Sequence, residues 1–239
     1  MESTLRVFAV LPSLDWAALV VLFGGWSGYA WFARRLAGRR PSILATTNRI
    51  RRQWMLQTTY RDARVIDGVV IQNLSTSPSF FASTTILIIG GLLAVLGTTE
   101  KANELVREIP FAARTSVLVF DLKLVLLLGI FVHAFFRFTW SMRQYTFGAL
   151  LIASAPEAKQ FEALGAEAPA RREAFADKAG RVVGLAAETF NDGLRAYYFS
   201  FAAIAWFFSP VVFMAATLSV VYVLYQREFH SEVLKDLNA

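Results

Sequence analysis

The sequence contains no cysteine among its 239 residues. That excludes disulfides, a thiolate nucleophile, cysteine-ligated zinc and iron–sulfur clusters, while leaving the redox compartment open. Histidine is almost as scarce, with only His133 and His230. Two are too few for a histidine metal site. The topology derived below puts them towards opposite membrane faces, which disfavours a bis-histidine haem. Charge is also low, at 18% Asp, Glu, Lys and Arg, where a soluble domain carries about 25%. No phosphate loop, glycine-rich dinucleotide turn or Ser-His-Asp arrangement is visible. The expectation is a protein that is not an enzyme and that has no cofactor and no metal.

What is abundant is apolar sequence: 56% of residues are hydrophobic and 21 are Phe. They fall in blocks, and crossing ~30 Å of hydrocarbon takes ~20 helical residues. Four blocks qualify: about 14–32, 80–97, 117–136 and 197–225. The first has basic residues after its apolar run and no small-residue cleavage site, so it reads as a retained span, not a secretory signal. The expected fold class is all-α: an integral membrane protein with four transmembrane helices and amphipathic cytoplasmic helices in one membrane domain over 1–239. Only helices satisfy their own backbone in spans without strand-like alternation.

Lys and Arg are unevenly placed. Nine lie between the first and second spans and eight between the third and fourth; the two terminal segments and the middle loop hold six together. The positive-inside rule then puts the two long loops in the cytoplasm and both termini in the periplasm of a bacterial inner membrane. The net charge of +6 has this cause and needs no nucleic-acid partner, since no base-reading module is present. The segment "NRIRRQWMLQTTYRDARV" carries Arg49, Arg51, Arg52, Arg61 and Arg64 with Trp54 and Tyr60 between them. It is expected to face anionic phospholipid, where each arginine gains about 1 kcal/mol, or a protein partner.

Apolar residues at three- and four-residue spacing predict an amphipathic helix over about 47–73, ended by "STSPS" and Pro78. The second cytoplasmic segment, about 137–196, begins as an extension of span three. A polar turn region follows at 154–170, then a helix continuous with span four in which Gly180, Gly184 and Gly193 act as weak points. Ser209-Pro210 predicts a kink inside span four.

Four residues of span three are candidates for a polar path or buried polar contacts: Asp121, Lys123, His133 and Arg137. Charge in the bilayer needs a reason. Asp121 and Lys123 either snorkel to the outer interface or face a water-filled path or an intersubunit pair; two residues apart on a helix, they do not pair with each other. Lys123 and Arg137, fourteen apart, fall on nearly one face, as a pore lining would require. Small residues at Gly24, Gly25, Gly28, Gly90 and Gly91 permit close helix contact and homo-oligomer formation.

The stretches "LSTSPSFFASTTILIIGGLLAVL" (74–96), "KLVLLLGIFVHAFFRFTWSMRQY" (123–145) and "GLRAYYFSFAAIAWFFSPVVFMAATLSVVYVLY" (193–225) resemble the polytopic membrane proteins of domain of unknown function 599, found in bacteria and plants. Asn48, Arg49 and Trp54 resemble that family's basic stretch before its second span. The resemblance covers most of the chain from Arg34 to Tyr225 and implies a multi-span membrane protein; it carries no activity or site residues. The functional expectation is a self-associating channel- or transporter-like assembly for a small ion or solute. The alternative is an accessory or scaffold subunit that binds lipid or a partner through its basic helix.

Overall fold

A computed structural model describes residues 11–37, 41–108 and 115–238. All regular structure among them is helical: α1 (Ser13–Ala37), α2 (Ile43–Thr58), α3 (Val65–Leu96), α4 (Thr99–Glu108), α5 (Val117–Ala153), α6 (Ala158–Glu162), α7 (Ala168–Ile204), α8 (Pro210–Phe229) and α9 (Glu232–Asp236). Short 3-10 turns occupy Gly165–Glu167 and Ala205–Phe207. Stretches in α1, α3 and α5, and the stretch Pro210–Asp236, are long and apolar enough to cross a membrane. The fold is all-α, as expected. At 37 residues, α5 is about 55 Å long at ~1.5 Å per residue. That exceeds the ~30 Å of hydrocarbon, so the helix projects well beyond one face.

The projection builds a second storey. Helices α5 and α7 run antiparallel along their lengths, pinned by Lys123 to Trp206, Arg137 to Asp192 and Ser141 to Ala186. At one end their contact forms a core of Leu22, Phe131, Phe138, Phe199, Trp206 and Phe213 with α1, α3 and α8. Rings fill its centre: Phe131 and Tyr197 meet at 5.2 Å, Phe81 and Phe138 at 5.3 Å, Trp26 and Phe199 at 5.3 Å. Such pairs contribute ~0.5–1.5 kcal/mol each beyond their burial. At the other end, which holds the arginine-rich segments, a separate core of Met55, Ile71, Tyr145, Ile152, Ala179 and Val183 joins α2 and the start of α3. There α2 lies on the small residues of α7. A Cβ on Gly180 would stand 2.9 Å from the Arg52 backbone, and one on Gly184 3.0 Å from Asn48 Oδ1. These glycines are close-approach points in an unbroken helix, not the weak points expected.

Several expected boundaries change. The predicted helix over 47–73 is two helices. It stops at Thr58, where the chain tightens into a turn with the N–H groups of Thr59, Tyr60 and Arg61 on the carbonyls of Leu56, Gln57 and Thr58. The side chains of Arg64 and Arg172 donate to the carbonyls of Thr58 and Thr59. Conversely, "STSPS" does not stop α3, which runs straight through Pro78. The hydroxyls of Ser75 and Thr76 donate to the Gln72 carbonyl, and Pro78 is buried against neighbouring helices that hold the chain in line. The polar turn region at 154–170 contains α6, with Phe161 buried, and a turn at Gly165 where φ is 56°.

The largest correction concerns 197–225, read from sequence as one kinked span. The chain reverses inside it. Helix α7 ends at Ile204, Ser209 is extended (φ −163°, ψ 156°) with its side chain accepting from Val212 N–H, and Pro210 is the first residue of α8. Trp206 stacks on Phe213 at 5.5 Å, and Arg227 in the last turn of α8 donates to the Tyr198 hydroxyl back on α7. Helix α8 runs parallel to α1, with Asp15 beside Trp206, just before α8, at one end and Phe32 beside Tyr225 at the other. The described residues therefore begin and finish at opposite ends of the bundle. Asn238 accepts from Thr46 and Arg49 at the basic end, contrary to the expectation of two termini on one side. Arg227 and Lys235 thereby join the basic end.

Candidate functional site

A charged cleft opens where the two storeys meet. One face of α7 supplies Glu188, Asn191, Asp192, Arg195 and Tyr198, residues three and four apart that a helix brings into line. Helix α8 contributes Leu224, Arg227 and Glu228 from its last turns, α1 contributes Tyr29 and Ala33, and α2 contributes Ile43 and Leu44. The main cavity measures about 150 Å³, and a smaller one of about 30 Å³ shares Asn191 and Arg195 with it. Asp192 ties the floor together: its carboxylate accepts from Arg137 at 3.1 Å and from Arg195 at 2.9 Å. The Arg195 guanidinium lies 5.6 Å from the Tyr29 ring centre, within cation–π range. At 11% exposure the Arg195 side chain needs this pairing, since an unpaired charge there would cost several kcal/mol.

The wall is less settled. Glu228 Oε1 accepts from the Leu44 N–H at 3.0 Å, and Arg227 donates to the Tyr198 hydroxyl. Among the described residues, Glu228 has no cation within 4.0 Å and Arg227 no carboxylate. The half-buried Asn191 amide has no hydrogen-bond partner there either. The cleft can thus offer donors and acceptors of both signs to a small polar molecule. No three His, Asp or Glu side chains converge as metal ligands among the described residues.

Of the four candidate path residues only Arg137 reaches this site, through Asp192. Lys123 is 1% exposed and neither snorkels nor faces water. Its ammonium donates to the Trp206 carbonyl at 2.8 Å and lies 5.4 Å from that residue's ring centre. It caps the end of α7, where carbonyls lack helical partners. Asp15 supports the cap by accepting from the Trp206 indole N–H. Asp121 keeps one buried carboxylate oxygen without a partner. His133 faces outward, its ring perpendicular to Trp26 at 5.5 Å. No charged stripe joins Lys123 to Arg137, because Leu127, Ile130, Phe131 and Ala134 are buried between them.

The basic segment is largely consumed within the chain. Arg52 pairs with Glu173 and Asp177 of α7, which raises its pKa above the usual guanidinium value. Arg51 donates to Thr47 and Asn48, and burial lowers its pKa. Trp54 and Arg61 both donate to the buried Asp67 carboxylate, at 2.7 and 3.2 Å. Arg64 donates to the carbonyls of Ala155 and Pro156. Arg49 is exposed and donates to Asn238.

Sequence reasoning missed Asp15, Arg172, Asp192, Arg195, Arg227 and Glu228. Asp15 sits in an apolar block, so the rule that singled out Asp121 would have found it. The i, i+3 spacing of Asp192 and Arg195 was a second available signal. Comparison with known proteins gives one result: residues 17–233 match the family model described as "Protein of unknown function, DUF599". No curated protein and no solved structure matches.

Proposed function

We propose that this chain, which belongs to the DUF599 family of proteins of unknown function, is a transporter-like protein of the bacterial inner membrane. Its cleft takes up a small polar solute from the cytoplasm. The carrying observation is the Arg137–Asp192–Arg195 layer, placed within the bundle and open to one end through that cleft. A cavity with a few convergent charged groups at the end of a helix bundle is the default binding-site candidate. The rings of Phe81, Phe131, Phe138 and Tyr197 block the way to the opposite end, which favours a carrier over an open channel. The positive-inside rule assigns the basic end to the cytoplasm. Self-association uses the outward face of α1, where a side chain on Gly24 or Gly28 would meet nothing within 4 Å.

The test is exchange of preloaded small solutes by liposomes containing the full-length protein, read by mass spectrometry. Exchange above protein-free liposomes that is lost in Arg195→Ala supports the reading; its absence refutes it. A scaffold role has one observation in its favour. Tyr60, Val65, Ile66 and Val69 are 56%, 77%, 74% and 53% exposed on the basic-end storey. A stoichiometric partner released by Ile66→Glu would support that role.

A further inference from the structure

The cleft carries a finer reading than "polar". Arg227 and Glu228 both line its main cavity of about 150 Å³. As adjacent residues on a helix they leave the axis about 100° apart, and no ion pair within 4.0 Å joins them among the described residues. The cavity therefore presents a guanidinium and a carboxylate that do not neutralise each other. Asp192 is already shared by Arg137 and Arg195, and Glu188, which lines only the smaller cavity, accepts from the Asn48 side-chain amide, so the acidic function lining the main cavity is Glu228. One of its oxygens is held by Leu44 N–H, and the carboxylate retains further acceptor capacity. The Asn191 amide adds an uncommitted donor and acceptor.

These facts sort ligand classes by charge. A simple anion would meet Arg227 but sit against Glu228. A simple cation would meet Glu228 but face Arg227 and Arg195. A neutral molecule would leave both wall charges without counter-charge, at a cost that rises as the cleft is desolvated. A molecule carrying both signs a few atoms apart satisfies both. At ~30 Å³ of liquid volume per water, the cavity of about 150 Å³ holds the equivalent of about five waters, a size that suits a compact solute or headgroup.

Resting on the binding-site reading above, we infer that the cleft recognises a small zwitterion: an ammonium placed against Glu228 and a phosphate or carboxylate placed against Arg227. The chemistry has two sources. A free solute reaches the cleft from water; an ethanolamine-phosphate lipid headgroup reaches it from the bilayer, because the cleft lies where α1 and α8 leave their apolar stretches.

Calorimetric titration of the full chain in maltoside detergent tests this with three probes: phosphoethanolamine, ethanolamine and inorganic phosphate. Phosphoethanolamine should bind at least about tenfold more tightly than either half. Glu228→Gln, which keeps an acceptor for Leu44, should remove the preference over phosphate. Phosphate binding as tightly as phosphoethanolamine, or a full preference surviving in Glu228→Gln, overturns the inference, as does absence of binding by all three. The probe comparison on the unaltered chain stands even if the variant fails to fold. Repeating the titration in phosphatidylethanolamine and phosphatidylglycerol nanodiscs separates the sources. Binding blocked only in the former supports the lipid headgroup, and binding retained in both supports the free solute. Intact binding with no liposome exchange overturns the carrier reading and leaves the zwitterion site standing.

Discussion

Replacing Gly193 with Ala tests whether the ring-packed centre of the bundle is as rigid as its geometry implies. A Cβ there would stand 2.5, 2.8 and 2.9 Å from Cε1, Cδ1 and Cζ of Phe138, where carbon atoms prefer ~3.5–4.0 Å. The ring cannot retreat. Phe138 is fully buried, with Phe81 stacked at 5.3 Å, Tyr197 at 5.6 Å and Phe190 at 5.7 Å. Overpacking of this kind costs ~1–3 kcal/mol, and the clash is with ring atoms, which sets the upper part of that range. Against it stands the helix-propensity gain of Ala over Gly, ~1 kcal/mol. The net expectation is a loss of about 2 kcal/mol, or roughly 4–8 °C in melting temperature for a chain of this size. The assay is thermal unfolding of purified protein in detergent, with Gly68→Ala as the internal control. Gly68 is also helical but a Cβ there meets nothing within 4 Å, so the same substitution should raise stability by up to ~1 kcal/mol. Adding Phe138→Leu to Gly193→Ala should recover part of the deficit. A Gly193→Ala protein melting at or above the parent would refute the argument.

Arg172→Met should destabilise the basic-end storey by about 1–3 kcal/mol, because the buried guanidinium satisfies the carbonyls of Thr59 and Ala158. The check is faster proteolytic nicking within 59–64. Lys123→Met should lower stability by a similar ~1–3 kcal/mol by uncapping the Trp206 carbonyl, yet leave solute exchange per folded molecule unchanged. A lost exchange in fully folded protein would restore Lys123 to a path. Since the chain lacks cysteine, single substitutions report topology directly. Glu100→Cys should react with an impermeant maleimide in intact cells, and Asn238→Cys only after permeabilisation; labelling of both in intact cells would sink the assignment of opposite sides.

The parts legible in sequence were those set by composition over long windows. Apolar blocks and the absence of strand alternation give an all-α membrane fold because backbone satisfaction in lipid leaves few choices. The unread parts depended on which side chain meets which carbonyl. Arg52, Arg64 and Arg172 look like solvated charge in the sequence, and only tertiary placement turns them into fasteners for α2 and α6. The cleft was hidden for the same reason: Arg195 and Arg227 are 32 positions apart in the sequence, and nothing local pairs them. The hairpin is different, because its signal was present and given the wrong meaning. Ser-Pro inside an apolar run reads as a kink if the run is one crossing, but Ser followed by Pro is also the N-cap and first-turn signature of a new helix. Two facts favoured the second meaning. The block 197–225 is longer than one crossing needs, and α7 approaches it as a long helix from the basic end. A chain that arrives at the far side with some twenty apolar residues still to place has to turn back, and Ser209 with Pro210 is where its backbone can do so.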